Sequence, residues 1–430
     1  MNETLTRETP SSGEQVSKAA LWLILIVAWL GWMFDGMEMG LYSVLARPAM
    51  RELLNTQDDR AIGPLVGIMF ALFLLGASVG GFIFGRLGDK IGRVKTMIIT
   101  VIIYSVFTGL TAISQNAWQF GACRFLGAMG LGGEWGLGVA LVMESWPNAR
   151  RPVLAGLLGS SANVGFLVSS LVNLHFSELT LAIGGLTLTG WRLIFCIGAI
   201  PALLTLIIRL CIKEPAKWLK ARERGERPDL GQLWQPGLRR NTIMACTLSA
   251  VALVGTWGVF QWLPTWVNQL VGGNAVMERA TVAMWMAFGQ ILGSFLGGPS
   301  AEWFGRRISY SIFCLGSLIF SIALYTMVSA FGIPLLLLAA IAGIFTTAFF
   351  GWLPLYLPEL FPTRIRATGE GITFNFGRIV AAVGVFTTGA LVNGFGGSYE
   401  KAAVTMSMIY VVGLILIWFV PETKGCKLPD

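Results

Sequence analysis

The chain has 430 residues, of which 55% are hydrophobic and only 13% charged, and its formal net charge is +8. This composition, with a mean hydropathy of +0.69, excludes a water-soluble protein of this length, in which about a quarter of the residues are charged. The positive charge does not imply a nucleic-acid partner, because basic loops on the cytoplasmic side of a membrane protein account for it.

Twelve apolar runs are long enough to cross about 30 Å of hydrocarbon as helices, which takes about 20 residues each. They lie near 19–46, 61–85, 95–114, 117–143, 153–176 and 191–212, and near 241–270, 279–301, 308–329, 333–357, 368–392 and 402–420. The pattern predicts an all-α membrane protein of twelve transmembrane helices in two six-helix bundles, 19–212 and 241–420. A polar linker (213–240) separates the bundles, and polar tails (1–18 and 421–430) flank them.

The distribution of basic residues predicts the orientation in the membrane. With both termini in the cytoplasm, about 22 of the 31 Lys and Arg residues fall on cytoplasmic segments and about five fall outside. The N-terminal tail has no cleavage pattern and the first apolar run is too long for a signal peptide, so we expect the tail to be retained. The expected location is a bacterial inner membrane. Because each half-bundle needs the other, we expect a monomer.

The cysteine and histidine content argues against enzyme chemistry. The six cysteines are scattered, mostly within apolar runs, and form no CxxC pair for metal binding or redox work. The one histidine, His175, lies at the end of the fifth run, where plain interfacial structure is the simpler interpretation than a proton sensor. We therefore predict no metal, no cofactor and no catalytic site.

The chain contains an internal duplication. Residues 85–93 (GRLGDKIGR) recur 213 positions later as residues 298–306 (GPSAEWFGR), with two glycines, the acid and the final arginine in register. Residues 144–147 (ESWP) recur 215 positions later as residues 359–362 (ELFP). Duplication of whole halves is typical of transporters.

These motifs, together with residues 124–130 (RFLGAMG) in the fourth run, resemble the major facilitator superfamily over nearly the whole chain. Residues 213–215 (KEP) and 421–425 (PETKG) are similar to the half-end motifs of sugar porters and related metabolite symporters. The resemblance implies two bundles around a central cavity, rocking between inward-open and outward-open states.

The repeated loops supply the gating candidates. Acids there can meet basic groups and helix N-termini in one state and lose them in the other. The alternative is that these residues only determine topology. The candidates are Gly85, Asp89, Gly92, Arg93, Glu144, Arg150, Glu302, Arg306, Glu359 and Arg364.

Asp35 and Glu38 form a pair of carboxylates about midway along the first run. Residues three apart lie on one helix face, and an ionisable group at this depth usually faces a cavity. Close carboxylates repel, so at least one should hold a proton. The pair also resembles the acid-Gly-x-acid signature of aromatic-acid symporters, with Glu in place of the second Asp. We predict a proton site here, unless Glu38 lies near the outer end and is simply hydrated.

Two arginines inside apolar runs need anionic partners. Arg124 in the fourth run either forms a fixed ion pair with Asp35 or Glu38 or contacts substrate, and the resemblance implies a role in proton transfer. Arg378 in the eleventh run is our predicted carboxylate anchor, unless it bonds to Glu370 or a carbonyl. Glu134 in the fourth run is either a relay acid or a helix-packing group.

Further cavity residues are predicted from polar or aromatic groups at similar depth. Asn163 matches Arg378 by the repeat offset of 215. The seventh run is dense in aromatic residues around one glutamine, as a small-molecule cavity requires. The candidates are Asn163, Asn375, Gln261, Gln290 and Trp257.

The sequence thus predicts a proton-coupled symporter of a small anionic organic metabolite, such as sialic acid or another monocarboxylate. A neutral-sugar porter is the alternative, because residues 421–425 are close to the sugar-porter ending. Under that alternative, Arg378 would face the cavity without a substrate charge.

Overall fold

The computed structural model describes residues 17–147, 150–176, 179, 181–183, 186–188, 190–199, 212–224, 229–272 and 275–429. The helices of the first half are α1 (Lys18–Leu54), α2 (Asp59–Ile91), α3 (Arg93–Thr111), α4 (Ala117–Ser145), α5 (Arg151–Phe176) and α6 (Gly190–Ala199). A short antiparallel pair, β1 (Leu181–Ile183) and β2 (Leu186–Leu188), lies between α5 and α6, and α7 (Ala216–Glu223) follows in the linker.

The second half consists of α8 (Pro236–Val254), α9 (Leu263–Val271), α10 (Val276–Phe304), α11 (Arg306–Met327), α12 (Ile333–Leu360), α13 (Arg366–Gly394), α14 (Tyr399–Ser407) and α15 (Ile409–Leu416). The seventh predicted span comprises α8 and α9, and the twelfth comprises α14 and α15.

The structure confirms the predicted helical membrane fold. Eleven helical segments of the described chain are long and apolar enough to cross a membrane. The sixth predicted span is described only as Gly190–Ala199, because residues 200–211 lie outside the described part. The β1–β2 pair was not predicted, although the Gly-Gly sequence between two apolar stretches is a hairpin signal.

Several helix bounds differ from the predicted ones for local reasons. Helix α1 continues eight residues beyond position 46 to Leu54, and its cap, Asn55, adopts a left-handed conformation with φ of 48°. Asparagine tolerates that conformation better than most residues. Helix α8 begins at Pro236 rather than 241, because proline suits the first position of a helix.

Small residues set the helix packing. Helix α2 packs on α4 and α1 on α5 in the first half, while α10 packs on α12 and α8 on α13 in the second. The halves meet where α5 packs on α10 and α2 on α13. A Cβ at Gly80 would overlap the carbonyl of Met129, and one at Gly298 would overlap that of Pro152 in the other half. Glycine is therefore required for this closeness.

The seventh span is irregular beside the predicted cavity. A π-helical turn (Gly255–Val259) and a 3₁₀ turn (Phe260–Trp262) separate α8 from α9. Pro264 lacks an N–H group and disfavours a regular helix through this point. Thr388 Oγ1 donates to the Gly258 carbonyl at 2.8 Å, and the Tyr325 hydroxyl donates to the Val259 carbonyl at 3.0 Å. Side chains of other helices therefore bond to backbone carbonyls of the irregular turn.

Candidate functional site

A cavity of about 590 Å³ lies between the two halves. Its wall comes from α1, α2 and α5 of the first half and from α8, α9, α10, α12 and α13 and the irregular turns of the second. The lining includes Asp35, Asn163, Trp257, Gln261, Gln290 and Arg378 from the predicted set. A position between two halves at mid-depth is typical of a transporter substrate site.

The exposed part of the described cavity lining lies near the start of α10 and the end of α5, and we call it the mouth. Arg279 and Met284, near the start of α10, line it and are exposed, whereas Gln290 further along the same helix is buried. At its inner end Phe374 stacks on Trp135 of the other half, with ring centroids 3.8 Å apart. The repeated motifs, residues 85–93 and 298–306, lie beyond this stack, at what we call the motif end.

Asp35 and Arg378 form an ion pair in the cavity wall. Arg378 Nη2 donates to Asp35 Oδ2 at 2.8 Å, and both side chains are buried. Arg378 Nη1 also donates to Asn375 Oδ1 at 3.3 Å, and its guanidinium lies 5.3 Å from the Phe374 ring. Asp35 Oδ1 accepts no hydrogen bond from a described residue. The pair joins α1 of one half to α13 of the other.

The two first-helix carboxylates have different arginine partners. Glu38 pairs with Arg124 of α4 inside the first half, and Glu38 is buried rather than hydrated. The Arg124 guanidinium lies 4.7 Å from the Phe73 ring and 5.4 Å from the Tyr42 ring. Neither Arg124 nor Glu38 belongs to the cavity lining. The structure therefore separates the predicted carboxylate pair into two ion pairs.

Amide side chains line or support the cavity. Asn163 Nδ2 donates to Ser294 Oγ at 2.9 Å, and Gln290 lies beside it on α10. Asn375 does not line the cavity; its Nδ2 donates to the carbonyls of Gly371 and Gly132 at 2.8 and 3.2 Å, and so holds α13 against α4. Asn375 thereby orients Arg378 through the contact at 3.3 Å.

The apolar wall is largely aromatic. Trp257 lies on the π-helical turn and contacts Phe166 and Phe70 of the first half, with ring centroids 6.1 and 6.0 Å apart. The sequence analysis identified Trp257 but missed Arg279, Trp32, Phe166, Phe350 and Phe374. Arg279 was overlooked because it lies at the start of a span, where a charge is unremarkable.

At the motif end the first cluster, Asp89, Arg93 and Glu144, is buried and reaches into the second half. Arg93 Nη2 lies 3.0 Å from both Asp89 Oδ1 and Glu144 Oε1. Asp89 accepts from the Thr368 N–H at 2.8 Å and from the Thr368 hydroxyl at 2.5 Å, at the start of α13. Arg366 Nη1 donates to Glu144 Oε1 at 2.9 Å.

The second cluster, Glu302, Arg306 and Glu359, stays within its own half. Arg306 Nη2 donates to Glu359 Oε1 at 2.6 Å, and Arg306 Nη1 to Glu302 Oε2 at 3.1 Å. The Glu302 side chain is 47% exposed, whereas that of Asp89 is fully buried. Glu359 also accepts from the Thr423 hydroxyl at 2.5 Å.

The half-end motifs cap the helices that follow the repeated loops. Glu214 accepts from the Val94 N–H at 3.2 Å, and Glu422 accepts from the Arg306 N–H at 2.9 Å. Partial burial acts to raise the pKa of Glu422, but backbone N–H groups at the start of α11 hold it below its usual range. Gly92 and Gly305 precede these helices with φ of 120° and 90°, which favours glycine at both positions.

The remaining gating and relay candidates lie in varied surroundings. Arg150 is exposed, 5.9 Å from the Trp146 ring, and Arg364 Nε donates to Gln232 Oε1 of the linker at 3.1 Å. Glu134 is buried on α4. The His175 side chain lies outside the described residues. The sequence analysis missed Arg366 as the arginine that joins the halves.

Residues 21–285 match the family model of the Major Facilitator Superfamily, and residues 329–430 match that of sugar (and other) transporters. Because the first match covers more than half of the chain, the protein belongs to the major facilitator superfamily. A candidate metabolite transport protein of Haemophilus influenzae is 30% identical over 417 residues, which cover 95% of this chain and 98% of the relative. The protein is thus a membrane transporter of metabolites, not an enzyme.

Two further relatives carry named substrates. The cis,cis-muconate transport protein of Acinetobacter baylyi is 28% identical over 415 residues, covering 94% of this chain and 95% of the relative. The sialic acid transporter NanX of Escherichia coli is 28% identical over 356 residues, covering 82% and 83%. Among solved structures, the proton:xylose symporter XylE superposes with a TM-score of 0.80 over 95% of this chain and 98% of XylE, at 21% identity, which supports the fold alone.

Proposed function

We propose that this protein is a proton-coupled symporter of a small organic anion, with Asp35 as a proton acceptor and Arg378 as the carboxylate anchor. The observation that carries the proposal is their ion pair at 2.8 Å in the cavity wall. A substrate carboxylate and the Asp35 carboxylate compete for the same guanidinium. Protonation of Asp35 removes the competitor, so that proton and anion bind together.

The charge balance of the cavity favours an anion. Asp35, Arg279 and Arg378 are the ionisable side chains among its described lining residues. Asp35 and Arg378 compensate each other, so Arg279 leaves a net positive charge at the mouth. That charge attracts anions toward the cavity and does nothing for a neutral sugar.

The lining also fits an organic acid. Aromatic side chains cover much of the wall, and a few amides provide hydrogen bonds to hydroxyl or carbonyl groups. Sialic acid and cis,cis-muconate, the substrates named for the two relatives, are both carboxylates. We extend this class to the present chain as sialic acid or another organic acid, with Asn163, Gln261, Gln290 and Trp257 contacting substrate and Asn375 supporting Arg378.

The second buried pair is assigned to proton movement. Glu38 lies one helical turn after Asp35 on α1, and its partner Arg124 lies on the adjacent α4. In this proposal Arg124 holds Glu38 through their ion pair, Asp35 takes up the proton, and Glu134 serves as a relay acid on α4. These roles extend the predicted proton site to both ion pairs.

The transport cycle is assigned to the two bundles, 19–212 and 241–420, moving about the cavity as a monomer. We place the motif end and both termini in the cytoplasm of a bacterial cell, since most Lys and Arg residues lie there. Contacts of the first cluster with α13 hold this end closed. The motif glycines and charged residues, with Arg150 and Arg364, form the gate.

The test is a thermal-shift and binding screen of purified protein at an acidic and at a neutral pH. The ligands are sialic acid, lactate, benzoate, cis,cis-muconate, glucose and xylose. We expect one acid to stabilise the protein, more strongly at acidic pH. Arg378→Gln should weaken its binding about 10- to 100-fold, because a charge-assisted bond contributes about 1.5–3 kcal/mol. Lys401→Gln, which removes an exposed charge outside the cavity lining, is the matched control.

Coupling is tested in vesicles with an imposed pH gradient. Asp35→Asn should bind the acid with little pH dependence yet fail to accumulate it against its gradient. Uphill accumulation by this variant would refute the assignment of Asp35.

A neutral-sugar porter is the second candidate, favoured by the match of residues 329–430 to the sugar (and other) transporter model. Stabilisation by glucose or xylose alone, without pH dependence, would establish it and reduce Arg378 to a structural ion pair.

A further inference from the structure

Glu370 is a buried acid that meets no hydrogen-bond donor among the described residues. It lies on α13, one turn after Arg366, and its side chain is fully buried. Neither carboxyl oxygen accepts a hydrogen bond from any described residue. A buried polar group in this condition calls for a functional explanation.

The neighbouring arginine faces away from Glu370. Arg366 and Glu370 are four residues apart, a spacing at which opposite charges on a helix ordinarily pair. Instead Arg366 Nη1 donates to Glu144 Oε1 of the first half at 2.9 Å, and Nη2 donates to the Pro429 carbonyl at 2.6 Å. Arg366 is therefore paired with Glu144 of the other half, and the Glu370 carboxyl on its own helix is left without a hydrogen bond from it.

The surroundings of Glu370 favour its neutral form. The charged groups that act on it are Arg366 on α13, Glu144 on α4, Asp89 on α2 and Arg93 on α3. These four are joined by ion pairs, and Arg151 on α5 acts on Arg366 and Glu144 from the other half. None of them donates a hydrogen bond to Glu370. An ionised carboxylate without a donor is strongly unfavourable in this dry cluster, so the acid holds its proton while the motif end is closed.

We propose that Glu370 is a proton-binding site that releases its proton when the motif end opens. As the halves separate, Arg366 loses Glu144, and the Glu370 carboxylate takes its place. The O–H bond of Glu370 breaks, the proton passes to water entering the opened end, and Arg366 keeps a counter-ion. On closing, Glu370 takes up a proton and Arg366 returns to Glu144.

The internal repeat supports this assignment. Arg151 occupies the position equivalent to Arg366, and Ala155 the position equivalent to Glu370, both by an offset of 215. Arg151 forms no ion pair with a described residue, and its Nε donates to the Met143 carbonyl at 3.0 Å. The acid four residues later thus accompanies Arg366, which pairs with Glu144 of the other half, and not its equivalent Arg151.

This inference goes beyond the proposed function. It concerns a proton site remote from Asp35 and from the cavity, and it holds whatever substrate the cavity binds. It predicts that opening of the motif end is itself pH-dependent in the absence of substrate, because the closed state carries one more proton than the open state.

The test measures the distance between the halves at the motif end by spin labelling. One label is attached to Cys426, which is exposed in the tail that follows the second bundle, and the other to Lys90→Cys, an exposed position in the first half. The other five cysteines are replaced by serine. We expect the ratio of open to closed molecules to rise about tenfold per pH unit in the titrating range.

Glu370→Gln should abolish this slope, and Glu370→Asp, which keeps the acid, should retain it. Asp35→Asn should retain it as well. An unchanged slope in Glu370→Gln, or no slope in the unsubstituted chain, would overturn the inference. The thermal unfolding transition, measured on the same samples, checks that each variant is folded. If the proposed function is wrong, the acid ligand will not bind, or its binding will not depend on Arg378. The pH dependence of the open-to-closed ratio would persist in that case.

Discussion

The two copies of the repeated motif can be compared residue by residue. In each, an arginine at the start of a helix, Arg93 or Arg306, binds a motif acid and a second acid from the end of α4 or α12. In the first copy, Asp89 also accepts a hydrogen bond from the backbone of the opposite half, the Thr368 N–H at 2.8 Å. In the second copy, Glu302 is 47% exposed, and its ion-pair partner is Arg306 of its own half.

The reason lies in the helix that each acid would reach. Asp89 accepts from the N–H groups of Ala367 and Thr368 at the start of α13. The equivalent positions at the start of α5 are Pro152 and Val153, 215 residues earlier. Proline has no N–H and valine has no hydroxyl, so two of the three donors that Asp89 uses have no equivalent at the start of α5.

The first copy therefore contacts the opposite half through hydrogen bonds and ion pairs, whereas the second copy contacts it through close packing. Gly298 of the second copy lies against the Pro152 carbonyl with no room for a Cβ. Packing of this kind resists separation only through contact area, whereas buried ion pairs must exchange partners or protons. We therefore expect substitutions in the first copy to have the larger effects on transport.

The largest effect is expected for Arg366→Gln. Removing one partner of a buried ion pair costs about 3–5 kcal/mol. The pair between Arg366 and Glu144 joins the two halves, so we expect its loss to destabilise the closed state. Uptake should fall more than tenfold, and the spin-label distance between positions 90 and 426 should shift to the open population. Arg151→Gln, the matched change in the other half, should shift it far less. Equal effects would remove the distinction between the two copies.

A smaller effect is expected for Asp89→Asn, which weakens three hydrogen bonds to α13 without emptying the site. The closed state should lose about 1–3 kcal/mol relative to the open state. The half-exposed equivalent, Glu302→Gln, should change the balance by less than about 1 kcal/mol. Both are measured by the same distance distribution, and a larger effect of Glu302→Gln would contradict the comparison.

The smallest effect is expected from giving the second copy the donors it lacks. Pro152→Ala together with Val153→Thr restores an N–H and a hydroxyl opposite Glu302. The closed population should gain about 1 kcal/mol, roughly fivefold, because one or two hydrogen bonds are added. The gain should vanish in a background carrying Glu302→Gln. A gain that persists there would have another cause.

The motif end also illustrates the limit of sequence reasoning. The sequence places basic pairs 150–151 and 364–366 beside the acids, and the gating candidates chosen from it were Arg150 and Arg364. In the structure Arg151 and Arg366 are the buried members. On a helix, residues one apart, such as Arg150 and Arg151, point about 100° apart, and residues two apart, such as Arg364 and Arg366, about 200° apart. The choice therefore depends on the rotation of α5 and α13, which the sequence of charges does not reveal.

The sequence alone determined the class of protein and its helical membrane fold, and it predicted the linker and the loops of the proposed gate. Long apolar runs and a repeat at an offset of 213 to 215 suffice for this, because a bilayer admits few folds. It also identified Asp35, Glu38, Arg124 and Arg378 as charges that need partners. Only the tertiary structure decided that Asp35 meets Arg378, that Glu38 meets Arg124 and that Glu370 meets no donor among the described residues. Those pairings join residues up to 343 positions apart, and they depend on how α1, α4 and α13 are rotated and packed, which no local pattern records.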